Sequence, residues 1–131
     1  GLRVLVLEDE PDARELVERV LQERGAQTLV FASATEALSA CLKDAPDVIV
    51  SDIGLPGVDG YEFMRRLRTS EAQRGRTTPA AALTAFARSE DRRRALLAGF
   101  QTHLAKPIDP LELVVVVAAL AGRTTAFADG A

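Results

Sequence analysis

Three acidic residues sit where apolar runs stop. Val48, Ile49 and Val50 form a short β-branched run. Ser51, Asp52 and a Gly/Pro-rich stretch ending at Gly60 follow it. Val4 to Leu7 is a second apolar run, and it ends in Glu8 and Asp9. An aspartate at the end of a strand can cap a helix, ligate a metal or act as a nucleophile, and taken alone Asp52 reads as a turn or cap. Brought to one place, three carboxylates repel each other, and they are tolerated only if hydrated, protonated or neutralised by a cation. Oxygen-only donors suit a hard divalent ion. Mg²⁺ takes one or two carboxylates and keeps several waters, which fits an exposed edge better than a full Ca²⁺ cage. Zinc is disfavoured by a single Cys and a single His. Thr84 and Lys106 also follow short apolar stretches. A lysine there is a counter-ion to carboxylates or a point charge for phosphate oxygens, and a threonine hydroxyl can donate to the same oxygens. Carboxylates, cation, hydroxyl and ammonium together describe phosphoryl transfer to an aspartate, with Asp52 as the nucleophile.

The elements that must position these residues alternate along the chain. Pro11 suits a first helical position, Leu16, Val17, Val20 and Leu21 recur at helical spacing, and Gly25 stops the helix. Ala26 to Phe31 reads as a strand. Ser33 and Glu36 form a capping box ahead of an apolar stripe of Ala34, Ala37, Leu38, Cys41 and Leu42. Asp59 and Glu62 have the spacing of another capping pair, with Phe63, Met64 and Leu67 as core face, and Thr69 to Pro79 reads as a polar loop. Ala80 to Thr84 is a fourth strand, Ser89 caps a helix that Gly99 ends, and Thr102 to Ala105 is a fifth strand. Asp109, Pro110 and Glu112 start a last helix, against the β-branched run Val114 to Val117. Residues 123–131 read as a frayed tail after a single domain of residues 1–122.

Strict alternation predicts an α/β fold with a parallel five-stranded sheet between two helical layers. The flavodoxin-like (βα)5 order, 2-1-3-4-5, sets strands one and three side by side at the switch point, where ligands bind. Glu8, Asp9 and Asp52 then meet at one edge.

Composition narrows the classes. The 131 residues are 47% hydrophobic and 27% charged, the balance of a soluble globular chain long enough to bury a core. A net charge of −3 makes no electrostatic case for nucleic acid or an anionic membrane surface. No apolar run approaches the roughly 20 residues that span a bilayer. The lone Cys41 fits a reducing, cytoplasmic compartment. A chain opening on Gly1 directly before a strand is expected to be a domain cut from a longer protein.

From about Arg3 to Gly122 the chain resembles the response-regulator receiver domain. The resemblance rests on Glu8-Asp9 after strand one, Asp52 with Leu-Pro-Gly-Val-Asp-Gly close behind, Leu83-Thr84-Ala85, and Lys106-Pro107, each at a strand end. It implies Asp52 as phospho-acceptor and Mg²⁺ as cofactor. Asp9 would be a direct ligand, Glu8 would help through water, and the Gly54 carbonyl would be a third protein contact. It implies Thr84 as switch hydroxyl, Lys106 as phosphate partner, a cis peptide before Pro107, and a small Ala85 that leaves the phosphate approach open. Gly54 and Phe86 lie where the family tunes the lifetime of the phosphorylated form. Three residues before the lysine the family usually carries Tyr or Phe as a rotamer switch, and here that position is His103. Gly99 to Pro107 is similar to receivers of hybrid histidine kinases. The implied partner is a histidine kinase or a histidine phosphotransfer domain, with no nucleic acid and no membrane contact by this domain.

Plainer readings stand beside these. Glu8 and Asp9 could be a solvated helix start, Cys41 core packing, His103 a satisfied half-buried ring, and Arg92 to Arg94 a solvated face. A docking module independent of phosphorylation is the alternative function, although it would be expected to lose part of the acidic set. An Asp-nucleophile phosphohydrolase usually needs a second acid where Gly54 stands, and FMN binding wants a Gly/Ser/Thr-rich loop where Glu8 to Asp12 is acidic.

Overall fold

Ten elements alternate without interruption in the computed structural model, which describes residues 1–55, 57–85 and 89–122, with only the backbone of Ser89. They are β1 (Arg3–Leu7), α1 (Pro11–Glu23), β2 (Gln27–Phe31), α2 (Ala34–Lys43), β3 (Val48–Asp52), α3 (Gly60–Arg74), β4 (Ala80–Thr84), α4 (Ser89–Ala98), β5 (Thr102–Ala105) and α5 (Pro110–Leu120). All pairings are parallel, and the order is β2-β1-β3-β4-β5. The fold is flavodoxin-like.

Side-chain alternation along the strands divides the core in two. Leu5, Leu7, Ile49, Ala80 and Ala82 face α2, α3 and α4 through Ala37, Cys41, Phe63, Met64, Leu67 and Ala95. Val4, Val6, Val48, Val50, Leu83 and Leu104 face α1 and α5 through Val17, Leu21, Leu113 and Val117. Cys41 is core packing, as expected.

The helix starts follow local chemistry. The Ser33 hydroxyl accepts from the Glu36 amide at 3.4 Å, and Asp59 Oδ1 accepts from the Glu62 amide at 2.8 Å. Asp109 Oδ1 accepts from the Leu111 amide at 2.9 Å. That cap, with burial of Val114 and Val117, carries α5 through its β-branched run. Glu10, read as part of an acidic run, is the cap of α1. Its carboxylate accepts from the amides of Asp12 at 3.1 Å and Ala13 at 2.6 Å.

The loop expected over Thr69 to Pro79 is corrected by the structure. Helix α3 runs on to Arg74, and Gly75 closes it in the left-handed region at φ 68°. What disguised this turn is Glu71, a carboxylate turned inward. It is 4% exposed and accepts from the Thr78 amide at 2.9 Å and the Thr78 hydroxyl at 2.6 Å. A polar residue on the buried face breaks the apolar period that marks a helix. The tail beyond residue 122, the cap expected at Ser89, and Pro56 and Phe86 of the motifs lie outside the described residues.

Candidate functional site

The register of the two central strands builds the site. Leu7 pairs with Ser51, so the next residues, Glu8 and Asp52, leave the sheet side by side. One carboxylate oxygen each from Glu8, Asp9 and Asp52 lie within 4.8 Å of one another. Glu8 is fully buried and Asp52 is 7% exposed, whereas Asp9 is open to solvent. Two anchors hold the acidic turn. The Glu8 amide donates to the Phe31 carbonyl at 3.0 Å, and Arg14 Nη1 donates to the Glu8 carbonyl at 3.0 Å. Arg14 was not singled out from the sequence, because a surface arginine one turn into a helix carries no signal of its own.

Lys106 enters from the end of β5. Its Nζ lies 2.6 Å from Glu8 Oε1 and 3.3 Å from Asp52 Oδ2. The contact to Glu8 is a short, charge-assisted one, and Glu8 Oε2 accepts from the Glu10 amide at 3.3 Å. The Lys106 amide donates to the Thr84 carbonyl at 2.7 Å, and the Lys106–Pro107 peptide is cis. Burial pushes the Glu8 carboxyl above its ordinary range. Lys106 opposes that shift, and the neighbouring Asp52 adds to it. Burial pulls the Lys106 ammonium down, but Glu8 and Asp52 together outweigh burial and hold it above its ordinary value.

Asp52 Oδ1 accepts from the Gly54 amide at 3.1 Å, which leaves the remaining lone pairs turned to the edge. A cleft of about 140 Å³ opens there, walled by Asp52, Ile53, Gly54, Thr84, Ala85 and Asp91. Thr84 is 1% exposed, and its hydroxyl reaches the Leu104 carbonyl at 3.5 Å, the limit of a hydrogen bond. Ala85 is exposed at the rim. Gly60 lets the start of α3 close against this loop. Its amide donates to the Ile53 carbonyl at 3.2 Å. A Cβ at Gly60 would collide with the Asp52 carbonyl oxygen and sit 2.6 Å from Ile53 Cα.

The structure therefore brings together Glu8, Asp9, Asp52, Gly54, Thr84 and Lys106. His103 stands apart. It pairs with Ala82 across β4 and β5, and it lines a second groove with Arg92, Ala95, Leu96, Gln101 and Thr102. Asp91 was missed, because on the sequence it is one charge in the polar start of a helix.

The donors fit a divalent cation. Among the described residues three carboxylates face one ammonium, so negative charge is left over, and the donors gathered there are oxygens.

The family model of the response regulator receiver domain matches residues 4–118. The chain belongs to this family. Across 114 residues it is 46% identical to an uncharacterised 14.6 kDa protein of Leptolyngbya boryana, covering 87% of this chain and 86% of that one. It is 36% identical to the response regulator Rre1 of Synechocystis over 98% of this chain, but it spans only 55% of Rre1. The receiver domain of the sensor histidine kinase PA1611 of Pseudomonas aeruginosa superimposes with a TM-score of 0.84 at 33% identity, covering 93% of this chain and 98% of that one. That receiver is described with a magnesium ion coordinated in its active-site cleft. Receiver domains as a family use this acidic pocket for Mg²⁺ and serve two-component signalling.

Proposed function

We propose that this receiver, a unit of residues 1–122, takes a phosphoryl group onto Asp52 from the phosphohistidine of a histidine kinase or a histidine phosphotransfer domain. The supporting observation is the placement of Asp52. It stands at the end of a buried strand on a cleft shared with Thr84, and Lys106 Nζ lies 3.3 Å from its carboxylate. A carboxylate oxygen of Asp52 attacks phosphorus, the phosphorus–nitrogen bond breaks, and the imidazole leaves with the electron pair and takes up a proton. Lys106 and the Thr84 hydroxyl engage the phosphoryl oxygens. Glu8, Asp9, Asp52 and the Gly54 carbonyl would hold Mg²⁺. The ion supplies compensation for the negative charge gathered at the cleft.

Engagement of Thr84 by phosphate withdraws its hydroxyl from the Leu104 carbonyl, an interaction already at the 3.5 Å limit. That biases β5 and the His103 groove toward a second arrangement, which is the signal. The lone buried Cys41 fits the cytoplasm, and the resemblance to PA1611 favours a hybrid-kinase setting.

The test is intact mass after incubation with acetyl phosphate, with Mg²⁺ or with chelator, for the wild type and Asp52→Asn. A gain of one phosphoryl group that needs both Mg²⁺ and Asp52 is expected. No gain, together with no NMR shifts at Asp52 and Thr84 on adding beryllofluoride, would leave a docking module that works without phosphorylation.

A further inference from the structure

The acceptor cleft has one charged wall residue that the chemistry above does not use. Asp91 lies in the first turn of α4 and lines the cleft with Asp52, Gly54 and Thr84. Among the described residues it is in no ion pair. Its position is fixed by the next turn of the same helix. The Arg94 guanidinium stacks 4.2 Å from the centroid of the Tyr61 ring. Tyr61 follows Gly60, which is packed against the backbone of Asp52 and Ile53. This contact moors α4 to the loop that carries Asp52, and it holds the Asp91 carboxylate at the cleft wall.

We infer that Asp91 is a specificity-determining residue that selects phosphodonors by charge. It disfavours small, free, doubly anionic acyl phosphates relative to donors that reach the cleft with less net charge, such as a phosphohistidine presented on a protein surface. The inference rests on Asp52 being the phospho-acceptor. A fixed carboxylate raises the free energy of an approaching anion in proportion to the charge of that anion. Across a water-filled cleft, each unit of donor charge is disfavoured about twofold to threefold. The effect is a ratio between donors, and packing alone would not produce it.

The experiment compares acetyl phosphate, a dianion at neutral pH, with phosphoramidate, which carries a net single negative charge. Rates of phosphoryl gain are read by intact mass with saturating Mg²⁺. Asp91→Asn is expected to raise the acetyl phosphate rate about fivefold and the phosphoramidate rate by about the square root of that factor. Asp91→Glu should retain the wild-type ratio. Concentrated salt should shrink the difference between the wild type and Asp91→Asn. Equal changes for both donors, or no change, would overturn the inference while leaving Asp52 as the acceptor. Failure of the wild type to gain a phosphoryl group from either donor would overturn the acceptor reading and this inference with it. Should Asp91→Asn fold poorly, Asp91→Ser, which also removes the charge, decides in its place. It must raise the acetyl phosphate rate more than the phosphoramidate rate, and the absence of that difference refutes the inference.

Discussion

The two ends of the sheet each bury a glutamate, and they treat it in opposite ways. At the carboxyl end of the strands, Glu8 is fully buried, and the Lys106 ammonium that it contacts is shared with Asp52. At the other end, Glu71 is saturated. It accepts two bonds from Thr78 and pairs with Arg68. Arg68 in turn donates to the Gly99 carbonyl at 3.0 and 2.8 Å. Gln101 Oε1 accepts from the Ala80 amide at 2.6 Å and closes the network. A satisfied buried network holds α3, β4 and the α4–β5 turn in one arrangement. A cluster of three carboxylates around one ammonium retains capacity for a cation. The lesson is that burial of charge does not by itself mark a site. The unused donor and acceptor capacity does.

This contrast can be broken at either end. Glu71→Ala is expected to cost about 3 kcal/mol or more, because it strands Arg68 and the Thr78 amide, and urea unfolding would measure it. A loss below about 1 kcal/mol would remove the saturated end from the argument. Gly60→Ala should cost about 2–3 kcal/mol through overpacking against Asp52 and Ile53, and it should slow phosphoryl gain as well, since the acceptor loop must move.

Glu8→Gln should show itself in the pH dependence of stability. The folded Glu8 carboxyl lies above the unfolded value of 4.5. As pH rises past that value the unfolded chain ionises first, so this group lowers stability from there upward until its folded carboxyl ionises too. In chelator, raising the pH from 4.5 is therefore expected to lower the urea midpoint of the wild type more than that of Glu8→Gln, and equal pH slopes would contradict it. Mg²⁺ at about tenfold its Kd should stabilise the wild type by about 1.4 kcal/mol, and the variant by less.

The smallest effect belongs to Cys41. Burial pushes its thiol up to about 12, with Glu71 adding and Arg68 opposing. Its unfolded value is 9.0, so its contribution to stability falls as pH rises above that point. Native protein should resist alkylation at about pH 9 and react once unfolded. Fast labelling of the folded chain would show that this end opens.

The fold was legible because its signals are local. Pro11, the Ser33–Glu36 pair, Asp59 and Asp109 mark helix starts within single turns, and β-branched or small apolar runs mark the strands. The last turns of α3 were not legible. Their buried face is polar, and a polar face becomes core only when Thr78 and Gly99 arrive from far along the chain. For the candidate site, Asp52, Glu8, Asp9, Thr84 and Lys106 were legible because each follows an apolar run. Asp91 and Arg14 were not, because exposed helical charges look alike until a neighbour defines them.

By itself the sequence determined the alternation of elements, hence the parallel sheet, and the chemical types at its carboxyl edge. Only the tertiary structure decided which charges share which partner. That Lys106 reaches both Glu8 and Asp52, that Glu71 pairs with Arg68 while Glu8 shares its lysine, and that Asp91 rather than His103 walls the cleft all depend on distances across different elements. Helix and strand signals act over one or two turns of chain, whereas Coulomb and hydrogen-bond energies depend on separation in space and on burial, which exist only once the sheet has assembled.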